Sequence, residues 1–145
     1  MTEPKTISEI IKLIKDESKA GNYKSAIIYL NKAIEIDPND ARFNILRGRL
    51  KLDQGNHEDA IEDYTKAIEI DPNNALCYRL RAEAKSKLRD YQGAINDYSK
   101  AIELNPRKAK LYNYRASAKR KLGDNEGADE DYRKAEKLIN PFKKS

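Results

Sequence analysis

The sequence predicts an all-α protein, a solenoid of four helix–turn–helix repeats with about eight helices. Three observations predict it. YLNKAIEIDPND from Tyr29, DYTKAIEIDPNN from Asp63 and DYSKAIELNPRK from Asp97 restate one sentence at a fixed interval of 34 residues. Within a copy, apolar residues follow helical spacing twice, either side of a turn. Each helix carries only one apolar stripe, so a two-helix unit cannot bury itself and must stack on its own copies.

Four copies align without gaps: residues 7–40, 41–74, 75–108 and 109–142, the last with one extra residue before its proline. They define a single domain over 7–142, a lead over 1–6 and a basic tail over 143–145. Alanines recur at Ala26, Ala60, Ala94 and Ala128, and again at Ala33, Ala67, Ala101 and Ala135. Prolines stand at Pro4, Pro38, Pro72, Pro106 and Pro141, so the chain begins on a repeat boundary.

The first helix of copy one is rich in Ile7, Ile10, Ile11, Leu13 and Ile14. Some of these are expected to face outward, where an apolar patch could meet a second subunit. Gly21 ends that helix and Asn22 opens the next. In copy two the first helix runs from about Ala41 to Asp53 and stops at Gly55, which suits a left-handed C-cap. Asn56 caps the second helix, about His57 to Ile70, whose stripe is Ala60, Ile61, Tyr64, Ala67 and Ile68. Asp71-Pro72 ends it, because a residue before proline resists the α region. Copy three places Arg89 where the other copies have glycine, and Asp90 at the N-cap. Arginine in a left-handed turn is strained. Copy four has Gly123 and Asp124, but Asp129 and Glu136 replace isoleucines of the earlier copies. Two acids seven apart make a polar face, which predicts a terminal cap at which the array ends.

Composition narrows the function. Charged residues are 37% and mean hydropathy is −0.92, yet the apolar share of 39% is regularly spaced, which argues against disorder. No apolar run reaches the roughly 20 residues that span a bilayer, and the N-terminus lacks a signal-like apolar region. One cysteine, Cys77, cannot form an internal disulfide, which suggests a reducing, cytoplasmic setting. Net charge is +5, unevenly placed: residues 1–106 hold 17 Lys and Arg against 18 acids, and residues 107–145 hold 12 against 6. The case for an enzyme is poor. The lone His57 opens a helix where Tyr23 and Tyr91 stand in other copies, and Cys77 lies on an interior-looking stretch. No phosphate loop, zinc spacing or nucleophile elbow is present, so no metal and no cofactor are expected.

A helix–turn–helix period of 34 residues resembles the tetratricopeptide repeat family over residues 4–141. Copy two supplies the pattern as Gly48, Ala60, Tyr64, Ala67 and Pro72. Copy three supplies Tyr78, Ala82, Ala94, Tyr98, Ala101 and Pro106. The copies depart from the family at two places. The tryptophan is absent, with Ile10, Asn44, Tyr78 and Tyr112 in its stead, and its leucine survives only as Leu13. Arg47, Arg81 and Arg115 occupy that leucine place in the other copies. A charge there is unfavourable unless paired. Asp63, Asp97 and Asp131 recur at the same interval, and copy one, with Leu13, has Tyr29 instead. The joint pattern predicts three partly buried ion pairs, Arg47–Asp63, Arg81–Asp97 and Arg115–Asp131; the alternative is ordinary surface charge.

The resemblance also implies a right-handed superhelix whose inner groove, lined by first helices, takes an extended peptide or a partner helix. Carried over residue by residue, copy one gives Ser8, Ile11, Lys15 and Lys19. Copy two gives Arg42, Ile45, Arg49, Leu52 and Asp53, and copy three Leu76, Arg79, Glu83 and Lys87. Copy four gives Lys110, Asn113, Ser117, Arg120 and Lys121. Nine of these are Lys or Arg and two, Asp53 and Glu83, are acidic, which favours an acidic partner protein or peptide. One family subset grips the C-terminal carboxylate of heat-shock chaperones with Lys, Asn and Arg. Ile11, Lys15, Leu46, Leu76 and Leu80 stand at those places, so that clamp is not reproduced. The expected function is a non-catalytic protein–protein interaction module. The rivals are a self-assembling scaffold joined through the N-terminal apolar face, and nucleic-acid binding through Lys108, Lys110, Lys119, Arg120 and Lys121. The last ranks lowest because aromatics near those cations are few, Tyr112 and Tyr114.

Overall fold

The computed structural model describes residues 6–144, so the expectation on Pro4 lies outside the described residues. Eight helices run through them: α1 Ile7–Lys19, α2 Tyr23–Ile36, α3 Ala41–Asp53, α4 His57–Ile70, α5 Ala75–Lys87, α6 Tyr91–Leu104, α7 Ala109–Lys121 and α8 Asn125–Ile139. There is no strand among the described residues. No described helix is long and apolar enough to cross a membrane. The chain divides into two compact units, with the boundary after Pro72. Each unit holds two hairpins, and within a unit successive helices pack on one another.

The hairpin turns repeat one hydrogen-bond scheme. The amides of Asn22, Asn56, Asp90 and Asp124 donate to the carbonyls of Glu17, Lys51, Lys85 and Lys119, all at 2.9 Å. This closes the first helix of each hairpin as a Schellman motif, which needs one left-handed residue. Gly21, Gly55 and Gly123 supply it with φ of 79°, 82° and 86°, and Arg89 supplies it with φ 63°. Second helices stop at Asp37, Asp71, Asn105 and Asn140, each out of the helical region with ψ between 73° and 86° before a proline. Their starts differ. Asp90 and Asp124 accept from the amides of Gly93 and Gly127, whereas Asn22 and Asn56 make no side-chain cap bond. The glycines explain the contrast. A Cβ at Gly93 or Gly127 would lie 2.2 Å from the capping carboxylate. Ser25 and Asp59 hold those places in the first unit.

In the first unit Ile10, Ile14, Ala26, Leu30, Ala33, Phe43 and Leu50 form the core, with Ile7 and Ile11 packed against it. On α1, Ile10 and Ile14 are buried, while Ile7, Ile11 and Leu13 are half-buried. Gly48 lets α4 come close: a Cβ there would sit 2.6 Å from the fully buried ring of Tyr64. In the second unit Ala82, Ala94, Tyr98 and Ala118 form a core with Ile95 beside them. Cys77 is buried. On α8, Asp129 pairs with Arg120 and Glu136 with Lys143, so the two acids that replace isoleucine are exposed and partnered.

A charge triad ties each of the last three hairpins. Arg47 Nη2 lies 2.6 Å from Asp63 Oδ1, while Lys51 Nζ lies 3.1 Å from the other carboxylate oxygen. Arg81 and Lys85 hold Asp97 at 2.7 and 2.9 Å. Arg115 and Lys119 hold Asp131 at 2.7 and 3.0 Å. The carboxylates are 1%, 4% and 4% exposed, so they are buried charges and survive only because two cations grip each one. Arginines of the triads also reach the preceding hairpin. Arg47 donates to Asn31 at 2.8 Å, and Arg115 to Ser99 at 3.1 Å. At Asp131 burial raises the pKa, but hydrogen bonds from Arg115 and Lys119 outweigh it and hold the carboxyl below its ordinary 3.8.

Candidate functional site

The second unit carries an open cleft of about 610 Å³. α5 presents Arg79, Glu83, Ser86 and Lys87 to it, at spacings that keep them on one helical face. α7 presents Tyr114, Ser117, Ala118 and Lys121 at i, i+3, i+4 and i+7, again one face. Tyr91 and Tyr98 of α6 also line it, and Arg89 joins them from the turn. Tyr98 and Tyr114 stack with centroids 5.7 Å apart and planes at 25°. Burial pushes the Tyr98 hydroxyl up to about 12 even though a hydrogen bond with Ser86 works the other way, so the phenol stays neutral.

The charge of the cleft follows from its partners. Arg79 faces Glu83 at 3.6 Å, one turn away on α5. Lys121 sits over the Tyr91 ring, 5.8 Å from its centroid. Five charged side chains line the walls, four positive and one negative, for a net of +3. The arrangement offers stacking surface, hydroxyls and cations in an open slot. Among the described residues no group of His, Cys, Asp and Glu is placed to hold a metal.

Of the groove residues expected from sequence, Arg79, Glu83, Lys87, Ser117 and Lys121 come together in this cleft. Arg120 does not join them; it bonds Asp129 at 2.5 Å and lies over the Tyr132 ring. Lys110 is exposed and Asn113 half-buried on α7. In the first unit Lys15, Lys19 and Arg49 are exposed, and Arg42 folds back on Asp40 at 2.6 Å. Ile45 is buried, which takes it out of any groove, and Leu52 is half-buried. Sequence reasoning missed Tyr91, Tyr98, Tyr114, Ser86 and Arg89 as cleft residues. Tyr114 could have been found, because it is aromatic where Leu46 and Leu80 stand in the copies before it.

Hairpins that recur on one interval, the second unit opening a cationic, aromatic cleft, define a helical-repeat protein. Family models agree copy by copy: tetratricopeptide repeat over 29–62, 75–108 and 109–141, and TPR repeat over 48–88. The chain belongs to the tetratricopeptide repeat family, and its class is that of protein-interaction modules. A crystal structure of MamA protein is 25% identical, with TM-score 0.86 over 94% of this chain and 74% of that one. Another crystal structure of MamA is 27% identical, with TM-score 0.83 over 89% and 75%. The second TPR of Spaghetti (RPAP3), bound to the HSP90 peptide SRMEEVD, is 34% identical, with TM-score 0.65 over 68% of this chain and 91% of that one. No curated protein sequence matches the chain.

Proposed function

We propose that the chain is a non-catalytic interaction module that holds an acidic, extended peptide segment of a partner protein against α5 and α7. The carrying observation is the cleft of the second unit, with its net charge of +3 around the Tyr98–Tyr114 stack. Cations of that density favour carboxylate-rich partners and speed their approach. The relative of known ligand supports the reading, since SRMEEVD carries two glutamates and an aspartate. Nucleic acid is disfavoured, because Lys119 and Arg120, two of the five cations considered for it, are held by Asp131 and Asp129. The single buried cysteine suits a reducing, cytoplasmic compartment.

Fluorescence anisotropy with labelled SRMEEVD, and with SRMQQVN as its neutralised control, tests the proposal. The acidic peptide should bind saturably and lose affinity as salt rises. Lys87→Glu/Lys121→Glu should weaken it at least about tenfold, while Arg120→Glu, directed at α8, should leave it unchanged. Equal affinity for both peptides, or indifference to the double charge reversal, would overturn the reading.

A further inference from the structure

Arg89 stands where three hairpins have glycine, and the backbone makes no concession to it. Its φ is 63°, in the left-handed region that L-residues avoid. The turn closes as the others do, with the Asp90 amide donating to the Lys85 carbonyl at 2.9 Å. A Cβ added at Gly21, Gly55 or Gly123 meets nothing within 4 Å, so the turn selects glycine by dihedral angle and not by space. The strain at Arg89 is therefore a property of this hairpin that something else must maintain.

Local chemistry does not supply the reason. No carboxylate pairs with Arg89 among the described residues. The C-terminal dipole of α5 already has Lys85 and Lys87 in its last turn. What sets Arg89 apart is its position: it lines the cleft with Lys87 and Lys121. Arg79 there is shared with Glu83, so a single carboxylate from a ligand would leave positive charge unmatched. We propose that Arg89 is a specificity-determining ligand residue, kept in strained backbone because its guanidinium receives a second acidic side chain of the bound segment. This rests on the peptide-binding reading of the same cleft. A guanidinium suits the task, since it can hold a carboxylate through two parallel N–H donors.

Full-length Arg89→Gly and Arg89→Lys variants separate strain from charge. Each is titrated with SRMEEVD and with SRMQQVD, which keeps the aspartate and loses both glutamates, and each is melted by circular dichroism. Arg89→Gly should melt higher than the parent yet bind SRMEEVD about tenfold more weakly, the effect of one charge-assisted hydrogen-bond pair. Arg89→Lys, which keeps the charge but not the two parallel donors, should bind between the parent and Arg89→Gly, and SRMQQVD should scarcely distinguish the three proteins. If Arg89→Gly binds SRMEEVD as the parent does while Lys87→Glu/Lys121→Glu does not, Arg89 has no ligand role and the cleft reading stands. If the parent binds neither peptide, both fall.

Discussion

The first hairpin and the three that follow solve one packing problem in two ways. At the places where α3, α5 and α7 carry an arginine and a lysine four residues on, α1 has Leu13 and Glu17. Opposite them, where α4, α6 and α8 bury an aspartate, α2 has Tyr29, packed against the core of the first unit. An aliphatic–aromatic set and an ionic set thus occupy equivalent slots of the same hairpin. The difference teaches that the slot demands mutual consistency rather than one chemistry. A buried carboxylate without its cations, or cations without their carboxylate, would be costly, and so the members change together.

The largest expected effect comes from breaking one triad. Asp97→Leu leaves Arg81 and Lys85 facing an apolar side chain and should lower stability in urea by about 3 kcal/mol, the low end for a buried pair because both cations are partly solvated. Importing the set of the first hairpin, Arg81→Leu/Lys85→Glu/Asp97→Tyr, should recover most of that loss. An Arg81–Asp97 double-mutant cycle with coupling near zero would mean that the two slots are not alternatives.

Acid provides a second break, at the triad of the fourth hairpin. The pKa of Asp131 is depressed on folding, so its contribution is complete above the ordinary carboxylate value near 3.8. It is lost as pH falls from there through the folded value. Stability followed from pH 5 to pH 2 should therefore decline, and Asp131→Asn should flatten that slope while lowering stability at pH 7. An unchanged slope would remove the triad from the acid response.

Contact distance offers a smaller test. Gly48→Ala adds a methyl 2.6 Å from the Tyr64 ring, which is fully buried and cannot swing away. Overpacking of that kind costs about 1–3 kcal/mol, against up to about 1 gained in helix propensity. A net loss of about 1 kcal/mol in thermal or urea unfolding is expected. Ala82→Gly, at the same place of the next hairpin, should lose both the propensity and the packing of a buried methyl in the second core. If Gly48→Ala instead gains about what helical alanine is worth over glycine, helix propensity rather than the Tyr64 contact governs the site.

Much of this architecture was legible because the signals that end helices are local. Gly55 and Pro72 mark the limits of α3 and α4 by dihedral restriction, which needs no tertiary information. The arginine–aspartate register was legible from the interval alone. The third member of each triad was equally available there, since Lys51, Lys85 and Lys119 also recur every 34 residues, but a lysine on a helix reads as surface. The cleft was harder. Tyr98 serves the core and the cleft wall at once, and no pattern of hydrophobic spacing separates those roles. Arg42 and Arg120 were read as groove cations, yet each has a carboxylate within reach whose geometry only the folded chain reveals.

The smallest effect concerns the starts of the second helices, where the hairpins divide two against two. Asp90 and Asp124 cap α6 and α8 through the amides of glycines three residues on, and Asn22 and Asn56 leave α2 and α4 without a side-chain cap bond. The residue that decides this is the one receiving the cap, because any Cβ there intrudes on the carboxylate. Asn56→Asp alone should change little. Asn56→Asp with Asp59→Gly should gain a few tenths of a kcal/mol, a cap being worth about 1 and helical glycine losing most of it. Gly93→Ala should do the reverse, forcing Asp90 off the amide and exchanging its cap for propensity. Hydrogen exchange at the amides of residues 59 and 93 distinguishes a formed cap from a compensating change elsewhere. Protection should appear at the first in the double variant and vanish at the second in Gly93→Ala. If it follows the aspartate whatever stands three residues later, the glycine is incidental, and the two pairs of hairpins differ only in their capping residue.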